Sequence, residues 1–323
     1  MKDLSKPIER IEHTVTASES GGRLDHVLAD WVTWRSRADL QKRVKAGTVV
    51  VNGKPAKPRT KVFDGDLITV FVENDGDVSV DVNQIPLNIL HEEETFVVLD
   101  KPSGVVMHPV GKHVYDTLMN VLHAHYRRDD PAFDVTPMVV HRLDQDTSGV
   151  LLVAKQEEAR KRLGAAFEGR EVSKEYLAIV HGRVEKDAFS VNESIGLDPR
   201  GLNKTMMACI PTGRSSLTDF KVEKRFANAT LVRCFPKTGR QHQIRVHLAH
   251  VGHPILGDSQ YGSKSEITAG DLGLGGDPDR VVLDRQALHA SRLVVPHPVT
   301  GEQVGFDAPL APDLATLCAE LDA

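Results

Sequence analysis

Within six positions the chain sets His141, Arg142, Asp144 and Asp146 between two apolar runs, Met138-Val139-Val140 and Val150-Leu151-Leu152-Val153. A carboxylate held among cations can act as a nucleophile or as a general base. The branched, wholly apolar runs on either side predict two buried strands. A loop pinned at both ends by core strands is a rigid place from which to present reactive groups. Asp144 is the leading candidate. The residues alone leave a plainer alternative open, because Asp-Thr-Ser-Gly is also an ordinary turn sequence.

Two further residues could complete such a site. An ionised carboxylate in a water-poor pocket needs a partner, since burial otherwise raises its pKa and removes its charge. Arg245 is the candidate partner, in a helix predicted to begin after Thr238-Gly239, with Ile244, Leu248 and Val251 facing inward and Gly252 ending it. Tyr176 opens the run Tyr176-Leu177-Ala178-Ile179-Val180, a predicted strand. Taken singly, a helical arginine is more often a solvated charge and a strand tyrosine a core residue. The four histidines His242, His247, His250 and His253 invite a metal reading, but no His-Glu-x-x-His pattern or completing carboxylate accompanies them. We expect neither a metal nor a cofactor.

The elements ahead of this region are short and basic. Leu24, Val27 and Leu28 mark one buried face of a first helix. Ser36 is an expected N-cap for a second, Arg37 to Lys45, which stops at Gly47 with Leu40 and Val44 inward and Arg37, Lys42, Arg43 and Lys45 outward. Thr48 to Asn52-Gly53 reads as a strand entering a tight turn. Between Trp34 and Phe63 the only acid is Asp39, against nine Lys and Arg that include Arg35. Such a run is often just a solvated face, yet several cations on one surface would also attract phosphates.

The whole chain has 323 residues, a formal net charge of -5 and 40% hydrophobic content, enough for about two domains. It contains no apolar run of bilayer-spanning length, and its first residues lack a signal-peptide core. A cytoplasmic protein without a membrane partner is expected. Cys209, Cys234 and Cys318 are too scattered for a disulfide framework and read as buried or inert thiols. Many strand-like runs with few long helices point to an α+β fold. Ser263 to Arg280, rich in Gly and Asp, reads as a surface insertion.

The string His141-Arg142-Leu143-Asp144, two positions, then Thr147-Ser148-Gly149 and an apolar strand ending Ala154-Lys155 resembles the signature of the RluA family of RNA pseudouridine synthases. The likeness continues in order through Lys101-Pro102-Ser103-Gly104, Lys174-Glu175-Tyr176-Leu177-Ala178, Thr238-Gly239-Arg240-Gln241-His242-Gln243-Ile244-Arg245, Gly252-His253-Pro254-Ile255-Leu256-Gly257-Asp258, Leu288-His289-Ala290 and His297-Pro298. Residues 17–72 resemble an S4 RNA-binding module. The expected organisation is an extension at 1–16, this module, a linker at 73–85 and a catalytic domain at 86–323.

The resemblance implies a long, largely antiparallel mixed sheet around a central cleft, and an enzyme that isomerises uridine to pseudouridine without cofactor. It implies Asp144 as the required carboxylate, acting at C1′ or in proton removal from the sugar, with Arg245 as its ion-pair partner. It further implies Tyr176 stacking on the base, and Arg142 intruding where the flipped uridine was and touching phosphate. His141 is then structural, and Asp146 fixes the loop or caps a neighbouring group. Gln145 stands where relatives are often basic, so one phosphate contact is missing. Arg35, Arg37, Lys42, Arg43 and Lys45 would grip structured RNA. Large-subunit ribosomal RNA is the expected partner, transfer RNA the runner-up, and a non-catalytic RNA-binding or assembly protein the remaining rival. A monomer is the default.

Overall fold

The protein is described here by a computed structural model covering residues 10–32, 36–71, 85–109, 116–127, 135–200 and 206–323. It packs as two units, residues 1–85 with 108–133, and residues 86–107 with 134–323. Arg35 and the expected linker, up to residue 84, lie outside the described residues.

In the first unit, strand β1 (Arg10–Thr14) is followed by helices α1 (Leu24–Trp31) and α2 (Arg37–Ala46), then β2 (Val49–Val51), β3 (Lys54–Pro55) and β4 (Leu67–Phe71). The strands form one sheet in the order β1-β4-β2-β3. The Ser36 hydroxyl accepts the Asp39 N–H to cap α2, and Gly47, at φ 83°, ends it. Asn52 and Gly53 both have positive φ, as a tight hairpin turn requires. Leu24, Leu28, Leu40, Val49 and Ile68 are fully buried between helices and sheet.

Three expectations change here. Residues 10–14 do not lie outside the module, since β1 pairs with β4 along its whole length and Val15 enters the core. Arg43 does not face outward; its side chain is buried and reaches Asp39, one helical turn back, at 3.4 Å. The segment 108–133, expected with the catalytic domain, groups with this unit and contains α3 (Leu118–Arg127), whose Leu118 and Leu122 are buried.

The second unit is built on a ten-stranded mixed sheet. Its strands are β5 (Asn88–Glu92), β6 (Phe96–Lys101), β7 (Met138–Val139), β8 (Ser148–Ala154), β9 (Ser173–His181), β10 (Ala188–Val191), β13 (Thr218–Arg225), β14 (Ala229–Pro236), β17 (Leu288–Pro296) and β18 (Gln303–Asp307). Between and after them come α4 (Glu157–Gly169), the hairpin β11 (Ile195–Leu197) with β12 (Met207–Cys209), α5 (Gln243–His250), β15 (Ile267–Thr268), α6 (Ala269–Leu272), β16 (Val281–Leu283) and α7 (Pro312–Asp322). The main path runs β10-β13-β14-β9-β17-β8-β6-β5, with β7 on β8 and β18 on β17. All pairs are antiparallel except β17 with β8.

That parallel seam explains a glycine of the sequence signature. Gly149 sits at φ 108°, and a Cβ there would lie 2.2 Å from the Ala290 carbonyl oxygen, so only glycine lets β8 approach β17. The same holds at Gly257, where a Cβ would meet the Arg285 carbonyl oxygen at 2.0 Å. The supposed insertion at 263–280 is instead tied to the core. Ile267, Ala269 and Leu272 are buried, and Thr268 and Asp271 form a capping box on α6. Its Gly and Asp content served turns and a cap, while three apolar residues anchor it.

Candidate active site

Asp144 lies on the connection between β7 and β8, which pair as Met138↔Ala154 and Val139↔Val153, so both ends of the loop are fixed by the sheet. The interior of the loop is fixed as well. Lys101 is fully buried, and its Nζ donates to the carbonyl oxygens of Pro102 (2.8 Å), Gln145 (2.8 Å) and Thr147 (3.0 Å). Burial pulls the Lys101 pKa down to about 7, against the pull of Asp146 and Asp144. Three acceptors use all three protons of an ammonium group, so the charged form is the one that fits. Gln286 Nε2 donates to Thr147 Oγ1 (2.7 Å), Ser148 Oγ pairs with His289 Nδ1 (3.0 Å), and Arg285 Nη1 donates to the Asp146 carbonyl (3.2 Å).

His141 is a structural residue. Its Nε2 accepts the Leu152 N–H at 2.9 Å, its ring stacks on Phe167 at 4.7 Å, and burial lowers its pKa to about 3, so it is neutral. Asp146 is pushed upward by burial, opposed by Lys101, Arg245 and Arg285, while its backbone takes the Arg285 bond. Arg142 is exposed and lines the cleft. The Gln145 side chain is spent on the Gly104 carbonyl at 3.2 Å.

Arg245 stands on α5 and is buried. Its Nη1 donates to Asp144 Oδ2 at 2.9 Å. The rest of the guanidinium is held by Asp258, with Nε to Oδ2 at 2.7 Å and Nη2 to Oδ1 at 2.8 Å, and by Gln260 Oε1 at 3.0 Å. Burial would lower the Arg245 pKa, but Asp258 and then Asp144 outweigh it and raise it. Asp258 is fully buried and also accepts from the Gln260 and Tyr261 N–H groups. Its pKa is lowered, because the Arg245 bonds outweigh burial. A fully satisfied carboxylate thus fixes a guanidinium whose remaining edge points at Asp144.

The segment that carries Arg245 is itself braced. Gln243 Oε1 accepts from Thr238 Oγ1 (2.7 Å) and the Arg240 N–H (3.0 Å), while its Nε2 donates to the Leu217 carbonyl (3.0 Å) and to Thr218 Oγ1 (2.9 Å). His247 joins Thr218 and the Glu193 carbonyl. Ile244 and Leu248 are buried as expected, whereas Val251, expected inward, is 38% exposed because α5 ends at His250.

His242 was considered in the sequence only as a metal ligand. It occupies the left-handed N-cap of α5 at φ 55°. The Tyr261 hydroxyl accepts the Met207 N–H at 3.0 Å and is hydrogen-bonded to His242 Nδ1 at 2.8 Å. The other ring nitrogen of His242, Nε2, lies 4.0 Å from Asp144 Oδ1. Burial lowers the His242 pKa, with Asp144 opposing. Among the described residues no group of three or more His, Cys, Asp or Glu converges as a metal site.

Tyr176 lies on β9, opposite Cys234 on β14 and Ala290 on β17. Burial, and then the Asp144 charge, raise its hydroxyl pKa, so it is a neutral ring. Asp144, Tyr176, Arg245, His242 and Arg142 all line one cleft of about 780 Å³. The sequence reading named four of these; Asp258, Lys101, His242 and Tyr261 were missed as contributors. Asp258 and Lys101 lay within quoted motifs, but only three-dimensional pairing gives them a role.

The RNA pseudouridylate synthase family model matches residues 95–250, which span both Asp144 and Arg245. Ribosomal large subunit pseudouridine synthase D of Vibrio cholerae is 38% identical over 313 residues, covering 96% of this chain and 94% of that protein. The chain belongs to the RNA pseudouridine synthase family. As a pseudouridine synthase it is an isomerase. The synthase D of Nitrosomonas europaea is 39% identical over 95% of this chain and 86% of its own length. The solved structure of human RNA pseudouridylate synthase domain containing 4 superposes with a TM-score of 0.61 at 25% identity, over 75% of this chain and 95% of that one. The large mixed sheet and its cleft are therefore the synthase fold.

Proposed function

We propose that this synthase isomerises specific uridines of large-subunit ribosomal RNA, in the cytoplasm, with Asp144 as its catalytic residue. The observation that carries this reading is the Asp258–Arg245–Asp144 chain of charge-assisted bonds, which ends on a carboxylate open to the cleft. Both relatives named above as synthase D act, by name, on the ribosomal large subunit.

The reaction breaks N1–C1′, turns the uracil and forms C5–C1′; the C5 proton is lost to solvent and N1 takes up a proton in its place. Nothing is oxidised and no group is donated. Arg245 occupies Asp144 Oδ2 and leaves Oδ1 to act on the ribose, while its fixed positive charge pairs with the carboxylate in a half-buried site. The target base must first leave its stack, which costs a few kcal/mol. The Tyr176 ring offers a stacking face, worth about 1–3 kcal/mol per base and tolerant of rotation. Arg142, exposed on the catalytic loop, enters the vacated space. The N-terminal module, with Lys42 and Lys45 exposed on α2, adds a grip on structured RNA.

Position-resolved pseudouridine mapping tests this in cells carrying wild type, no copy, or Asp144→Asn. Sites in large-subunit RNA that vanish in both altered strains support it. Restoration of those sites by Asp144→Asn would show the catalytic assignment to be wrong, and loss confined to transfer RNA would overturn the substrate.

A further inference from the structure

The cleft carries a second set of arginines for which no role has been given. Arg170 ends α4 in the left-handed conformation at φ 62°. Arg214 sits where the backbone bridges Ile195, through paired bonds of 2.8 and 3.0 Å. Arg240 lies in the turn before α5, its Nε anchored on the Ser215 carbonyl at 3.1 Å. All three line the same cleft as Asp144. They come from segments separated by some 44 and 26 positions, so no charge run in the sequence announces them.

Several arginines elsewhere in the chain are closely paired. Arg160, Arg225, Arg233, Arg280, Arg285 and Arg292 each hold a carboxylate at 2.5–2.9 Å. Among the described residues, Arg170, Arg214 and Arg240 meet no carboxylate within ion-pair distance. They also feel one another: the Arg240 pKa is lowered first by burial, then by the charges of Arg214 and Arg170. Lys174, whose pKa burial also lowers, adds a fourth cation, bonded to the Thr238 carbonyl at 3.4 Å. In a chain of net charge -5, like charges crowded without a counter-ion cost stability, and a polyanion would relieve that cost.

We propose that Arg170, Arg214 and Arg240 form a phosphate-binding patch that clamps the RNA backbone beside the flipped uridine. The proposal rests on the RNA reading given above and deepens it. A guanidinium binds phosphate through two parallel N–H bonds, and three of them lining one cleft suit the phosphates of a splayed strand. The patch would hold the strand after its base has left the stack. It places on the catalytic unit a grip that neither needs base identity nor supplies chemistry.

The test compares wild type with Arg170→Gln/Arg214→Gln/Arg240→Gln and with a control of equal charge loss outside the cleft, Arg160→Gln/Arg225→Gln/Arg292→Gln. The probe is a large-subunit ribosomal RNA transcript carrying [5-³H]uridine. Filter retention at about 50 to 200 mM salt reads affinity, and tritium release reads turnover. The patch variant should bind about tenfold or more weaker, with the slope of log K against log salt shallower by about 2, from about 0.7 per single-strand phosphate contact. Its loss should fall on KM more than on kcat, while the control stays within about twofold. Arg214→Glu, a single exposed position, serves if the triple variant misfolds, and should weaken binding further than Arg214→Gln. Replacement of all three by Lys should retain most of the salt slope. Affinity and slope equal to wild type in a folded patch variant would overturn the proposal. If wild type releases no tritium, or Asp144→Asn releases as much, the isomerase reading of the site fails instead, and retention still decides the patch.

Discussion

Asp25 in the N-terminal module and Asp258 in the catalytic unit are both fully buried carboxylates held by arginine, and they are put to different use. Asp25 accepts from Arg23 at 3.0 Å, from Arg37 at 2.8 Å and from Gln41 at 2.6 Å. Burial would raise its pKa, but these bonds outweigh it and hold it well below the carboxylate range. Its arginine partners are 37% and 45% exposed, so the cluster is a surface clasp that joins α1 to α2. Asp258 holds one arginine that is 6% exposed, and that arginine reaches on to Asp144. The first arrangement is closed on itself. The second passes a fixed positive edge into a cleft, and this is what separates a fold-holding ion pair from one that serves chemistry.

Asp258→Asn should break the second arrangement with the largest effect. It leaves a buried guanidinium without its bidentate partner, at a cost of about 3–5 kcal/mol. Arg245 then pivots toward Asp144, and a misplaced carboxylate should lose about 100-fold in kcat. Chemical denaturation and tritium release check the two parts; a stable Asp258→Asn enzyme with full kcat would show that Asp258 is dispensable for aligning Arg245. Asp25→Asn should cost less, about 1–2 kcal/mol, because water already screens Arg23 and Arg37. It should raise KM by loosening the module and leave kcat near wild type. A fall in kcat matching that of Asp258→Asn would erase the distinction between the clusters.

The two clusters also differ in how far the sequence disclosed them. The cap at Ser36, the stop at Gly47 and the Asn52-Gly53 turn are local devices, and neighbouring residues suffice to read them. The strands around Asp144 were legible for the same reason. Asp258 sits 13 positions from Arg245, and Lys101 holds carbonyls 44 and 46 positions away. No periodicity reports such pairings. The basic run at 35–61 shows the converse error. Charge density there suggested free cations, yet Arg37 is drawn to Asp25, an acid outside the run, and Arg43 is buried against Asp39. Arg170, Arg214 and Arg240 are dispersed in sequence and unpaired in the cleft. Composition measures how much charge a segment has, and packing decides how much of it can meet a ligand.

Acid titration should separate the units next. His141 has a folded pKa of about 3 against an ordinary 6.5, so the unfolded chain binds its proton first. Its contribution is fully present above about 6.5 and is lost as pH falls toward 3. Asp25 is depressed, so its contribution persists down to the ordinary carboxylate value near 3.8 and is lost only below it. Both tryptophans, Trp31 and Trp34, lie in the N-terminal part of the sequence, and Trp31 is on α1. Far-UV circular dichroism, dominated by the large sheet, should therefore change at higher pH than tryptophan fluorescence. Coincident transitions would mean that the two units unfold together.

The smallest effect is expected from Lys42 and Lys45, exposed on α2 and free of the Asp25 clasp. Lys42→Gln/Lys45→Gln should leave stability within about 0.5 kcal/mol, as surface substitutions do. It should flatten the salt slope of RNA binding by about 1.4–1.8 if both touch phosphate. Arg37→Gln on the same helix should behave in the opposite way, costing stability before it costs charge contact, because its guanidinium is committed to Asp25. An unchanged salt slope in the lysine variant would take the module's exposed lysines out of RNA binding. The basic run would then be a solvated face, and the cleft arginines would be left to carry the electrostatic grip.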